Sequence, residues 1–292
     1  SESGVYAADI HAGKQLAVIS EVSGEVKVIS LNTGEQVYSW RHQGDGINLV
    51  DNVKFSKDGN YVVTSDSEAF AIWSIDNGEP IGFWRNDESS IRDIALANNG
   101  RAVLVGKANG SVMFFEPQTE RRLEFIGHSE KINSVDLSGN GRYALTGGND
   151  YKAYLWDTKT GQIIHVFDHP HRVTQVSIDQ NAKYLFTADG QDKAQIWDAQ
   201  TGKEVSRLHF IERQLIFTTA RFSSDSKYLL TGSPSKRLAM WDVSTGKTIN
   251  EWRVAPSDGP APQSAVVYAV DFIDSIPVSI SSSGNYEQWS VD

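Results

Sequence analysis

"GHSEKINSVDLSGNGRYALTGGNDYKAYLWD", residues 127–157, gathers a histidine, a threonine, an aspartate and a tryptophan in one stretch. Such residues serve a reaction or brace a sheet, and the choice turns on whether the stretch stands alone. It does not. Its ending "AYLWD" recurs as "AQIWD" and "LAMWD", so Trp156 has counterparts at Trp73, Trp197, Trp241 and Trp289, and Phe115 fills the one gap. These positions lie 42, 41, 41, 44 and 48 residues apart. A sustained period of this size marks an array of similar units.

A second recurring place follows eleven residues later, held by Trp40, Trp84 and Trp252 and shared with Ile126, Phe167 and Leu208, so all eight tryptophans fall on two positions. Between the two places lies a turn ending at Gly34, Gly78, Gly161, Gly202 or Gly246, where glycine supplies the positive φ of a tight hairpin. Another turn precedes each middle strand: Asp58-Gly59, Asn99-Gly100 and Asn140-Gly141 are strong hairpin dipeptides, and Asn181-Ala182 and Asp225-Ser226 are weaker versions. Each unit therefore reads as four short strands. The first strands alternate with period two and start near residues 5, 50, 91, 132, 173, 217 and 267. Such units cannot bury both faces alone, and radial stacking covers them. The expectation is all-β: one seven-bladed propeller domain over residues 5–292, with four-stranded antiparallel blades. The fourth strand occurs six times, so the last blade is expected to lack a full closing strand, in a natural chain that begins further upstream.

Gly127-His128, Trp156-Asp157, Trp197-Asp198 and Trp241-Asp242, phased over seven units, resemble the WD-repeat family across nearly the whole chain. The resemblance implies a buried hydrogen-bonded tetrad, which by position is His128, Thr146, Asp150 and Trp156. An indole N–H and an enclosed carboxylate both need partners, so a structural role is the natural one. Only the fourth blade is complete in this reading. Blade five keeps His169, Thr187 and Trp197 with Gln191 at the aspartate position, blade two keeps His42, Thr64 and Trp73 with Ser67 there, blade six keeps Thr231 and Trp241, and blade one has Ile29 for tryptophan.

Composition limits the partners. A formal net charge of −10 opposes binding to a phosphate backbone, which makes nucleic acid a poor partner. Zero cysteines exclude disulfides and thiolate chemistry. No apolar run approaches eighteen residues, and "SESGVYAADI" has neither the basic flank nor the apolar stretch of a signal peptide. A cysteine-free chain with no methionine near its front tilts the expectation toward an exported bacterial protein, in the envelope or periplasm, over a cytosolic one.

Signs of chemistry are weak. "STGKT", ending at Thr248, lacks the earlier glycine of a phosphate-binding loop, since Trp241 stands there, and reads as a hairpin. His165, His169 and His171 do not alternate onto one side, so no metal or other cofactor is expected. Asp9, Asp93, Asp136 and Asp271 are read as one layer of the channel-lining strands, facing Lys54, Ser177 and Arg221 of the other blades, with ion pairing between blades as the simple explanation. More telling are the residues flanking the first apolar position of each first strand, on the face where the resemblance places partners. One side is basic, through Arg92, Lys131 and Arg172. The other is apolar and aromatic, through Tyr6, Leu49, Ile216, Val266 and Tyr268, with Asp51 beside Leu49. The loops "RVAPSDGPAPQSAV" from Arg253 and "HFIERQLI" from His209 are expected to shape that face. The reading is a monomeric, non-enzymatic scaffold for a protein or peptide partner, acidic with an apolar anchor. Two alternatives stay open: a metal-dependent lactonase- or hydrolase-like enzyme centred on the channel, and a module of a longer chain.

Overall fold

A computed structural model describes residues 4–42, 49–210, 215–256 and 265–291. Seven antiparallel sheets follow one another along the chain, six with four strands and the last with three among the described residues. Their inner strands are Val5–His11, Asn52–Phe55, Ile91–Leu96, Ile132–Leu137, Val173–Ile178, Thr219–Phe222 and Val267–Ile273. Each inner strand touches the next, and the seventh touches the first, which closes a seven-bladed propeller. Regular pairing in blades two and six begins two residues after Val50 and Phe217. The chain is already held there, because the Asp51 amide donates to Ser65 O at 2.8 Å and the Thr218 amide to Gly232 O at 2.9 Å.

Alternation explains the core. One face of a blade buries its apolar residues against the next blade, as Leu104, Val112, Phe114 and Phe125 of blade three do against Ile132, Val135 and Trp156 of blade four. The turn chemistry also follows the sequence: Gly34, Gly78, Gly161, Gly202 and Gly246 have φ between 68° and 74°. Ala182 and Ser226 occupy the same left-handed conformation, at φ 53° and 57°, in the slot that glycine takes in the stronger turns. "STGKT" is the hairpin joining the last two strands of blade six, Arg237–Asp242 and Thr248–Arg253.

One assignment shifts. The second recurring place packs the outer strand of one blade on the third-strand aromatic of the next, as when Trp40 stacks on Trp73 at 4.9 Å. In blade three that place belongs to Phe125, which lies flat on Trp156 at 4.6 Å, while Ile126 is 81% exposed. Five other blades carry a one-residue bulge at the third-strand position, as between Leu155 and Trp156. Blade three pairs Phe115 with Arg122 and Val112 with Phe125 without a bulge. A missing bulge moves the outer strand by one residue and so reverses which side chain faces inward.

Candidate functional site

The channel carboxylates act first on the backbone. Asp9 Oδ2 accepts the Phe55 amide of the next blade at 2.8 Å while Oδ1 accepts its own neighbour Ile10 at 2.9 Å. The same two-way staple joins Asp136 to Ile178 at 2.7 Å and Asp271 to Ala12 at 2.8 Å. Asp93 performs it one level nearer the loops that lead into the blades, on Val135 at 2.8 Å, because it is the third residue of its strand and not the fifth. The ion pairs differ from the simple neighbour-to-neighbour scheme. Arg221 of blade six reaches Asp9 of blade one at 2.7 Å, and Lys57 of blade two reaches Asp136 of blade four at 3.0 Å. Lys54 lies between them without a close ion pair among the described residues. Burial alone would lower the pKa of its ammonium, but Asp93, Asp9 and Asp136 outweigh that and raise it.

Above this layer a cavity of ≈ 280 Å³ opens on the face that carries the loops leading into the blades. Tyr6, Asp51, Arg92 and Tyr268 line it. Tyr6 is 43% exposed, and burial together with the neighbouring Tyr6 raises the pKa of the Tyr268 hydroxyl. Burial raises the Asp51 carboxyl, Asp66 adds to that, and Arg92 opposes it. The remaining five expected residues stand outside this cavity: Lys131 and Arg172 are exposed on blades four and five, and Leu49, Ile216 and Val266 are half-buried. Arg92, Lys131 and Arg172 form no ion pair among the described residues. Two flanking positions are engaged between blades, since Asn133 donates to Val173 O at 2.8 Å and Thr218 to Val267 O at 2.5 Å. In the two loops expected to shape the face, residues 211–214 and 257–264 lie outside the described residues.

The histidines that precede the inner strands are built into braces. His128 Nε2 lies 2.9 Å from Thr146 Oγ1, and its Nδ1 lies 2.9 and 3.0 Å from the two oxygens of Asp150. Burial works against the Asp150 charge, but His128 and the amides of Ser129 and Lys152 outweigh it and lower the pKa. Trp156, fully buried, stacks on Phe125 and leaves its Nε1 without a hydrogen-bond partner among the described residues. Blades two and five depart from the sequence expectation, because the aspartate is present in both. It sits two residues past the threonine, as the last residue of the second strand in blade five and the first residue after it in blade two, where neither Ser67 nor Gln191 is needed. Asp66 Oδ2 lies 3.1 Å from His42 Nδ1, while Thr64 Oγ1 receives Trp73 Nε1 at 2.9 Å. Asp189 faces His169 at 3.8 Å, and Thr187 Oγ1 receives Trp197 Nε1 at 2.8 Å. Alternation was the missed signal, since residues i and i+2 share a face of a strand. Blade seven keeps a fragment, Trp289 Nε1 to Ser279 Oγ at 3.0 Å. Of the other histidines in the cluster, His165 rests against Gln200 O at 3.2 Å on the outer strand of blade four, away from the brace at His169.

The model of the WD domain, G-beta repeat (WD40), matches residues 119–157, 161–198 and 209–242. The first two matches begin in the turn before an outer strand and the third just after one, and all three end at the Trp-Asp of the following blade, so they fall on blades four, five and six. No curated protein matches the chain in sequence.

Proposed function

We propose that this chain, a seven-bladed β-propeller carrying WD40 repeats, works as a monomeric interaction scaffold that holds a protein or peptide partner on the face bearing the loops into the blades. Propellers of this family commonly bind proteins and are typically not enzymes. Residues 5–292 act here as one domain. The observation that carries the reading is the mouth of the channel, where Tyr6 and Tyr268 stand beside one another and Arg92 completes the rim. Tyrosine and arginine offer large rigid contact area and charge-assisted hydrogen bonds, the properties that dominate interfaces. Lys131 and Arg172 extend the positive charge over blades four and five, although the chain as a whole carries −10. A partner that brings an apolar anchor to the tyrosines and acidic residues to the basic arc satisfies both halves, with Leu49, Asp51 and Ile216 at the periphery. The channel carboxylates support this choice over a metal-dependent enzyme, because each staples backbone amides of its own and the next blade and because Asp9 and Asp136 are already paired with Arg221 and Lys57.

Capture from an extract of the native source tests the assignment. Reversing charge at Arg92 and Arg172 together should lower recovery of the true partner at least about tenfold and flatten its loss with salt. Undiminished recovery by the charge-reversed protein would remove the site.

A further inference from the structure

On the opposite face a second depression is larger than the channel mouth. It is a groove of ≈ 1040 Å³, at the upper end of the size of sites that take small molecules. Its inner end lies at the channel, and its outer part runs between blades six and seven, where Tyr228, Met240 and Ile249 face Phe272 and Val291. Ile249 and Val291 are each 44% exposed. Lys57 and Arg221 line both this groove and the ≈ 70 Å³ cavity inside the channel, so their side chains form the floor between the two.

The charge of the floor and walls decides the ligand. Lys57 Nζ is held by Asp136 and by Ile178 O at 2.8 Å, and Arg221 Nη2 by Asp9 and by Ile10 O at 3.3 Å. Neither Asp9 nor Asp136 lines the groove, so both cations are neutralised chiefly from behind, with Asp271 adding to the field at Arg221 from the groove side. Facing the groove stand Asp179, Asp225, Asp271 and Asp274, four carboxylates against those two cations. Asp225 is paired with Lys227 at 3.0 Å, and Asp179 accepts Ser226 Oγ and the Lys183 amide, each at 2.6 Å. Asp271 accepts one amide on each oxygen, Ala12 and Phe272, and keeps acceptor capacity on both. Asp274 is exposed on the same hairpin and has no ion pair among the described residues. His11 is tied to the backbone, its Nδ1 3.1 Å from the Lys14 amide and its Nε2 3.1 Å from Lys57 O.

We propose that this groove binds a small organic ammonium, with its charged head at Asp271 and Asp274 and its apolar body between blades six and seven. Because the groove and the protein-binding mouth are on opposite faces, either assignment can fail alone.

Isothermal titration of the full chain with phenylbutylammonium, and with the matched phenylbutyrate, tests the site. The ammonium should saturate below about 5 mM and bind at least about tenfold more tightly than the carboxylate. Asp274→Asn should weaken it about threefold, and Ile249→Arg, on an exposed strand position with little bearing on folding, should weaken it more than about tenfold by filling the groove with a like charge. Equal or tighter binding of the carboxylate, undiminished binding to Ile249→Arg in protein of unchanged circular dichroism, or no saturation by the ammonium would each overturn the proposal.

Discussion

Blades four and five brace the same histidine with an aspartate drawn from different places. In blade four Asp150 comes from the turn after the second strand and meets His128 at 2.9 Å. In blade five Asp189 comes from the strand itself and stops 3.8 Å from His169. The slot of Asp189 is occupied in blade four by Gly148, and a Cβ there would lie 2.9 Å from His128 Nδ1 and 3.0 Å from Asp150 Oδ1. The two solutions exclude each other, because a turn aspartate needs the strand position bare. What the propeller preserves is an acceptor at one point in space, and the chain position that supplies it is free to change.

The largest effect should come from removing the acceptor. Asp150→Ala leaves His128 enclosed and releases the Ser129 and Lys152 amides, so it should destabilise the chain by about 3 kcal/mol in urea unfolding. The comparison sharpens if Gly148→Asp is added to that variant, which rebuilds blade four on the plan of blade five and should restore about half of the loss. No recovery would mean that the two aspartates are not interchangeable. Next in size is Gly148→Ala in the otherwise native chain. Its Cβ also meets Lys131 O at 3.1 Å, and a buried carbonyl and ring have little room to yield, so a loss of about 2 kcal/mol is expected.

The contrast also defines what could be read from residues alone. The number of blades, the order of strands and the glycine turns were legible, because they rest on local patterns repeated many times: period-two strands, positive-φ turns and the spacing of the tryptophans. The aspartates of blades two and five were not, since alignment at a fixed distance from Trp73 and Trp197 points to Ser67 and Gln191. Only the pairing of strands reveals that Asp66 and Asp189 share a face with Thr64 and Thr187. Phe125 was missed for the same kind of reason, the absence of a bulge that no residue type announces. The cross-channel contacts of Lys57 and Arg221 join blades far apart in sequence, and spacing carries no information about them. The basic and aromatic residues of the candidate face were legible as types, and the structure brings Tyr6, Asp51, Arg92 and Tyr268 to one mouth.

Proton linkage separates blade five further. Burial lowers the pKa of His169 below its usual 6.5, although Asp189 pulls the other way. The folded chain therefore holds this imidazole neutral while the unfolded chain takes up a proton, so stability is lost as pH falls below about 6.5, by up to ~1.4 kcal/mol per pH unit. Asp189 acts in a lower window. Burial opposes its charge, but His169 and the amides of Lys193, Gln191 and Asp192 outweigh that and bring its carboxyl down to about 2. Its contribution is complete above the unfolded value of 3.8 and disappears as pH falls through about 2. Urea midpoints between pH 7.5 and 5 should consequently fall less steeply in His169→Gln than in the native chain. Parallel slopes would show that His169 titrates freely in the fold.

The smallest expected difference concerns the indoles. Trp197 donates to Thr187, whereas Trp156 in blade four has no acceptor among the described residues, yet the two are unequally buried and make a poor pair for measurement. Trp241 of blade six is the better match to Trp156, since both side chains are wholly enclosed and Trp241 Nε1 donates to Thr231 at 2.8 Å. Changing either to phenylalanine removes similar volume, so the space left behind largely cancels between them. What remains is the N–H: Trp241→Phe loses a satisfied bond, and Trp156→Phe removes a donor that folding has stripped of water without compensation. Trp241→Phe should therefore be the more costly change by about 1 kcal/mol. If Trp156→Phe proves equally costly, its indole nitrogen has found a partner in solution, and the braces of blades four and six are equivalent at that corner.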